Sequence, residues 1–390
     1  MIVGTPNTRR PLRWAMVGGG RGSQIGYIHR AAAARERAFE LVAGAFDIDA
    51  AAGRAFGVEL GLDPGRCYAT HAAMFAAEAA RADGIEAVSI ATPNNTHFAI
   101  ARAALEHGLH VVCEKPLCFT LAQAEALEAL AQARGRVVGV TYGYSGYPMI
   151  EQARAMVENG DLGEIRLVNL QFAHGFHSQA VEETSPGTAW RVDPRFAGPS
   201  YVLGDIGTHP LYISQVILPH LKIRRLLCAR QSFVKSRAPL EDNAVTLMEY
   251  DTGAFGTLWA SAVNAGGMHG QKVRIVGAKA SLEWWDEHPN QLSYEVQGEP
   301  VRLLDRGMPY LYPQARQDDR IGPGHPEGLF EGWANLYYRF AIAMEASDRG
   351  EGERLEGLRF PGIEAGVEGV RWVENCVRSA DLGGVWVDYR

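Results

Sequence analysis

Apolar residues in the first third of the chain follow two alternating rhythms. Short apolar runs at Leu12–Val17, Glu40–Phe46, Glu86–Ala91, Leu109–Cys113 and Val137–Thr141 read as strands. Helical patterns lie between them: Ile25–Arg37, Ala50–Phe56 with Asp49 as N-cap, the later part of Tyr68–Ala82, and Asn95–His107 stopped by Gly108. Thr120 and Gln123 form a capping box ahead of Leu121, Leu127 and Leu130, and Gly135 ends that helix. Strands alternating with helices predict a parallel sheet covered on both faces.

The rhythm changes after about residue 143. A helix is expected at Met149–Asn159, with Gly160 as its stop. Strand-like segments follow at Glu164–Phe172, Leu226–Phe233, Ala244–Tyr250, Ala254–Ala262, Lys272–Val276, Leu282–Trp285 and Leu292–Val296. Asp251-Thr252-Gly253 suits a hairpin turn, so this half is expected to hold an antiparallel sheet. Helices interrupt it near 208–218, 331–347 and 363–379, and Met308–Gly328 is expected as a long loop. The chain therefore divides into an α/β domain with a parallel sheet at 11–143 and an α+β domain at 144–390. Residues 1–10 read as a loose tail.

Bulk properties narrow the function. The formal net charge is −7, and Lys and Arg are not concentrated in runs, which excludes nucleic acid as a partner. The five cysteines are widely spaced without a CxxC, so a reducing compartment, the cytoplasm, is expected and a zinc site is not. No apolar stretch reaches the roughly 20 residues of a membrane helix, so no membrane partner is expected.

Gly18-Gly19-Gly20-Arg21-Gly22-Ser23-Gln24-Ile25-Gly26 follows the first strand and opens a helix. Glycines let a backbone approach a pyrophosphate, and the helix N-terminus offers N–H donors. Gly18 and Gly20 fit the dinucleotide fingerprint; Ser23 occupies its third glycine position, and Gly26 serves that role only in a loop three residues longer. Gly18, Gly20, Ser23, Gln24 and Ile25 are the candidate phosphate contacts. Asp47, ending the second strand, suits the ribose 2′-OH and disfavours a 2′-phosphate, so NAD is expected over NADP. Thr92, Pro93, Asn94 and His97 sit at another strand end and are cofactor candidates, as is Glu114; turn and cap chemistry competes for the same residues.

Lys115, fixed between Glu114 and Pro116 at the end of a buried strand, is placed to polarise a substrate oxygen and to touch cofactor. In the second half Asp205 and His209 are four apart, so on a helical turn they share a face and the carboxylate can orient the imidazole as a base. Lys115, Asp205 and His209 are the candidate catalytic set. His174, Trp190 and Arg191, together with these three, are candidates for lining a sugar site. His174 and His177 lie three apart, on opposite faces of an extended strand, so no metal is expected.

Several of these motifs occur together in a known order. Ile25-Gly26-Tyr27-Ile28-His29, Ala91-Thr92-Pro93 with His97, Glu114-Lys115-Pro116, Asn159-Gly160-Asp161-Leu162-Gly163-Glu164-Ile165 and Gly204-Asp205-Ile206-Gly207-Thr208-His209 span residues 13 to about 212. The chain resembles the glucose–fructose oxidoreductase / inositol dehydrogenase family on these motifs. The resemblance implies an α/β N-terminal Rossmann domain and an α+β C-terminal domain with a large, mostly antiparallel open sheet that serves as an oligomer interface, in homodimers or homotetramers. It also implies NAD(P) without metal, Lys115 and His209 flanking the reacting carbinol, and Asp205 supporting His209. Arg21-Gly22-Ser23 is an apparent insert against the family pattern. Leu211-Tyr212 stands where inositol dehydrogenase-like members carry an acidic residue.

The expected activity is hydride transfer from a secondary hydroxyl of a cyclic sugar, glycoside or inositol-like polyol to NAD(P)+. The alternatives are a redox-assisted glycosidase or lyase that recycles NAD in place, and a non-catalytic dinucleotide or sugar sensor.

Overall fold

The computed structural model describes residues 8–390, which form two compact units. The first holds the parallel sheet. Its strands are β1 (Leu12–Gly18), β2 (Phe39–Ala45), β3 (Ala87–Ala91), β4 (His110–Cys113) and β5 (Val138–Val140), in the order β2-β1-β3-β4-β5. Helices α1 (Gln24–Arg35), α2 (Ala50–Glu59), α3 (His71–Ala79), α4 (His97–Glu106) and α5 (Leu121–Arg134) make the crossovers. The sheet has five strands, one at each of the expected segments. Between β2 and β3 the chain contributes α2, a short turn of helix at Pro64–Arg66, α3 and an isolated bridge from Gly44 to Cys67.

Local chemistry explains these elements. The Asp49 carboxylate accepts from the Ala51 and Ala52 N–H groups at the start of α2. The capping box of Thr120 and Gln123 starts α5, and Gly135 at φ 58° ends it in the left-handed conformation. The strands are apolar on both faces because helices cover both, and Val111, Val112 and Cys113 are fully buried.

The division along the chain is not a single cut at 143. Residues 333–368 pack with the parallel sheet, not with the segment from 144 that precedes them. Gly139 makes room for Phe340, whose ring would lie 2.5 Å from a Cβ there, and the Val140 N–H donates to the Pro361 carbonyl. The tail also needs correction. Residues 1–7 lie outside the described residues, but Arg9 and Arg10 are anchored to Glu351 and Glu86.

The second unit comprises 144–332 and 369–390. Helix α6 (Pro148–Glu158) opens it, and Gly160 follows at φ 75°. Its nine-stranded sheet contains β6 (Ile165–Ala173), β7 (Ile223–Gln231), β8 (Asn243–Tyr250), β9 (Phe255–Ser261), β10 (Gln271–Gly277), β11 (Ala280–Trp285), β12 (Gln291–Val296), β13 (Arg302–Asp305) and β14 (Val387–Asp388). The order is β13-β12-β11-β10-β6-β9-β8-β7-β14, and every pair is antiparallel except β6 with β9. The 251–253 turn joins β8 to β9 with Gly253 at φ 89°. β13 and β14 are additions to the expected strands. The Met308–Gly328 loop carries a short helix, Pro313–Arg316, and a buried Arg306–Asp319 ion pair at 2.9 Å. One sheet face, with Val168, Leu170 and Phe172, is buried in the core of this unit.

Candidate active site

Between β1 and β3 the strand order reverses, which is where an open α/β sheet binds ligands at its carboxyl edge. Gly18 ends β1, Thr92 to Asn94 follow β3, and Glu114 with Lys115 follows β4, so all share that edge. Gly18 and Gly19 have φ of 74° and 66°, which admit glycine readily. A Cβ on Gly20 would stand 2.7 Å from the Phe46 carbonyl oxygen and 3.6 Å from Oδ2 of Asp47. The loop therefore runs bare-backboned past the end of β2, with the exposed Asp47 beside it. Asp49 takes the helix-cap task, as expected.

The third glycine of the fingerprint is Gly26. A Cβ there would lie 2.3 Å from the Gly19 carbonyl oxygen, so only glycine lets α1 pack this closely on the loop. The three-residue extension is real, and it changes the role of Ser23. Ser23 is the N-cap of α1, its Oγ accepting the Gly26 N–H at 3.1 Å. Gln24 and Ile25 fill the first helical positions, whose N–H groups have no intrahelical acceptor. Arg30 was not singled out in the sequence. Its guanidinium donates to the Gly19 carbonyl at 2.6 Å and lies over the Phe56 ring at 5.0 Å, clamping the loop from within α1.

Two of the cofactor candidates turn inward. His97 is fully buried, with Nε2 2.9 Å from the Thr92 carbonyl and Nδ1 2.9 Å from the Pro116 carbonyl. It sits between the Thr92 and Lys115 loops, and a neutral ring donates to one of these two carbonyls. Burial holds its pKa below the usual histidine value. Glu114 points into the protein, where Oε1 meets Nε2 of His29 at 3.2 Å and accepts from the Thr141 hydroxyl. Burial alone would raise the Glu114 pKa, but His29, Lys115 and Thr141 outweigh it and hold it low. Thr92 pairs with the Thr96 hydroxyl at 2.6 Å, Pro93 starts the turn at 94–96, and Asn94 is buried. Lys115 is partly exposed and is followed by a cis Lys115–Pro116 peptide.

In the second unit, Asp205 lies in a π-helical turn, Leu203–Gly207, and His209 is the second residue of the helix Thr208–Ile217. Such turns re-aim side chains and concentrate at functional sites. His209 is 6% exposed; the Tyr144 ring meets it edge-on, centroids 4.9 Å apart. The Asp205 carboxylate stands 3.6 Å from the Arg191 guanidinium, which in turn lies over the Trp190 ring at 4.6 Å. Trp190, Arg191 and Asp205 are thus one connected group.

His174 and His177 do not point apart. β6 ends at Ala173, and the turn after it brings the two rings to 5.3 Å. Burial, then His177, push the His174 pKa down to about 4, so its ring is neutral near pH 7. Its Nδ1 is buried without a hydrogen-bond partner among the described residues. Among the same residues no group of three or more His, Cys, Asp or Glu is arranged to hold a metal ion. Among the described residues no helix is long and apolar enough to cross a membrane.

Comparison with known proteins agrees with this anatomy. The oxidoreductase-family profile for the NAD-binding Rossmann fold matches residues 12–142, and that for the family's C-terminal alpha/beta domain matches 154–388. A crystal structure of an inositol dehydrogenase homologue complexed with NAD+ from Azotobacter vinelandii is 70% identical, covers 100% of both chains and superposes with a TM-score of 0.99. The same organism's homologue complexed with NADH and myo-inositol is 68% identical over 100% of both chains, TM-score 0.96. An uncharacterised oxidoreductase of Bacillus subtilis, YfiI, is 58% identical over 100% of both chains. The chain belongs to the glucose–fructose oxidoreductase / inositol dehydrogenase family of oxidoreductases, with an NAD-binding Rossmann fold.

Proposed function

We propose that the protein is an NAD-dependent dehydrogenase acting on a secondary hydroxyl of a cyclic polyol, with myo-inositol the first substrate to test. The observation that carries this reading is the full-length, 68% identical homologue complexed with NADH and myo-inositol. Gly18, Gly20 and the N–H groups of Gln24 and Ile25 hold the pyrophosphate, and Asp47 takes the adenosine ribose hydroxyls. Thr92, Pro93 and Asn94 border the dinucleotide further along the sheet edge. Bound NAD supplies the hydride acceptor.

The remaining work falls to side chains. His209 accepts the carbinol proton on its imidazole, and Asp205 steadies the imidazolium that results. The Lys115 ammonium donates a hydrogen bond to the same oxygen, stabilising it first as alkoxide and then as ketone. His174, Trp190 and Arg191 contact other hydroxyls. The unpartnered Nδ1 of His174 supports a polar ligand there, because a buried nitrogen left without a partner costs about 1–3 kcal/mol.

The test is a screen with NAD and NADP against inositols, pyranoses and glycosides, with Lys115→Ala as the blank. NADH accumulating in proportion to polyol supports the reading; turnover without absorbance change supports redox-neutral cleavage instead.

We also propose a homodimer or homotetramer that buries the second face of the nine-stranded sheet. Leu167, Val245 and Leu303 are 43%, 39% and 53% exposed on its strands. Light scattering on the eluting protein tests this. Five buried free cysteines support a reducing compartment such as the cytoplasm.

A further inference from the structure

A second acid–imidazole pair adjoins His209 and has no part in the reading above. Oδ2 of Asp286 bonds Nδ1 of His269, and Nε2 of His269 lies 3.1 Å from the Tyr144 phenol oxygen. The Asp286 side chain is 4% exposed and that of His269 33%. Oδ1 of Asp286 accepts the Gln271 N–H at 3.2 Å, so both carboxylate oxygens are fixed. The Tyr144 ring stands at 82° to that of His209, and Phe172 packs on both imidazoles, 4.5 Å from His269 and 6.0 Å from His209.

The partners dictate the tautomer. An ionised carboxylate only accepts, so the proton of a neutral His269 sits on Nδ1 and Nε2 is an acceptor. The Tyr144 hydroxyl must then donate to Nε2. A phenol that has donated its single proton offers a ligand only lone pairs. It takes a hydroxyl donor and repels a second acceptor.

We propose that Tyr144 is a specificity-determining residue that accepts a hydrogen bond from a hydroxyl beside the oxidised carbinol, held in its accepting state by Asp286 and His269 as positioning residues. This rests on the reading of His209 as the base at the reacting carbon. A polyol ring with a hydroxyl on the neighbouring carbon has the required donor; a ring with a methylene or an ether oxygen there does not.

The experiment uses the full-length protein with NAD in mildly alkaline buffer, myo-inositol, and each monodeoxy-myo-inositol. Wild type, Tyr144→Phe, Asp286→Asn and His209→Ala are compared, with NAD binding followed by fluorescence to check that each is folded. We expect wild type to lose about tenfold in kcat/KM on one deoxy isomer. Tyr144→Phe should lose a similar factor on myo-inositol, mostly in KM, and nothing further on that isomer. Asp286→Asn keeps the Gln271 contact through its carbonyl, donates to Nδ1 and moves the His269 proton to Nε2. It should shrink the same discrimination with NAD binding unchanged. Equal losses by Tyr144→Phe on every isomer, or none on myo-inositol, overturn the assignment of Tyr144 and leave the dehydrogenase reading standing. A wild type inert on every cyclic polyol, or His209→Ala as fast as wild type, overturns both.

Discussion

Nε2 of His29 lies 3.2 Å from Oε1 of Glu114, the residue immediately before Lys115. His29 passes the contact on through Nδ1 to the Tyr337 hydroxyl at 2.5 Å, Tyr337 to Ser89 at 2.7 Å, and Ser89 to Trp14 at 2.9 Å. This buried chain of polar groups secures the strand end that presents Lys115. Replacing His29 by Leu leaves the Glu114 carboxylate short of a partner and should cost about 2–4 kcal/mol in urea unfolding. Glu114→Gln keeps the shape and an acceptor and should cost about 1 kcal/mol. The held-down pKa of Glu114 contributes stability above the unfolded carboxylate pKa, and that stability is lost as pH falls through the folded value.

The glycine loop separates steric need from backbone need. Gly26→Ala drives a Cβ into the Gly19 carbonyl, whereas Gly22 at φ 78° has nothing within 4 Å of an added Cβ. Gly26→Ala should abolish NAD binding in calorimetry. Gly22→Ala should bind NAD and lose only about 1 kcal/mol of stability, the cost of a left-handed alanine.

Asp47 beside Gly20 should govern cofactor choice. Its charge repels a 2′-phosphate, so Asp47→Ser should raise the NADP/NAD ratio of kcat/KM by roughly tenfold or more. An unchanged ratio would place the ribose elsewhere.

His174 makes the fold sensitive to mild acid. Its folded pKa of about 4 lies below the unfolded value of about 6.5, so between them the unfolded chain binds the extra proton. Stability is full above the unfolded pKa and falls as pH drops toward the folded one, by about 2 kcal/mol between pH ~7 and ~5. His174→Asn should flatten this part of the pH dependence of urea midpoints.

The sequence was readable wherever the physical cause was local. Asp49, the Thr120–Gln123 box, Gly135 and the 251–253 turn act within a few residues, and the elements they bound fall within a few residues of expectation. What was missed depends on distant partners. Two-residue β14 exists only because Val387 pairs with Leu226. Residues 333–368 join the first unit because Tyr337 and Phe340 find β-sheet neighbours there. The glycine loop, Asp47 and Lys115 stand at the carboxyl ends of strands, where their spacing put them. The inward turn of Glu114 and His97, the cap role of Ser23 and the approach of His174 to His177 follow from packing and a turn that spacing does not encode.

The proposed reaction requires Lys115 and His209 to act on one carbinol. Initial rates of NADH formation from myo-inositol by Lys115→Ala, His209→Ala and the double variant test it most directly. Each single variant should lose about 10²–10⁴ in kcat, and the double should be little slower than the worse single, as for groups that work as a unit. Near-wild-type rates in either single variant would contradict it.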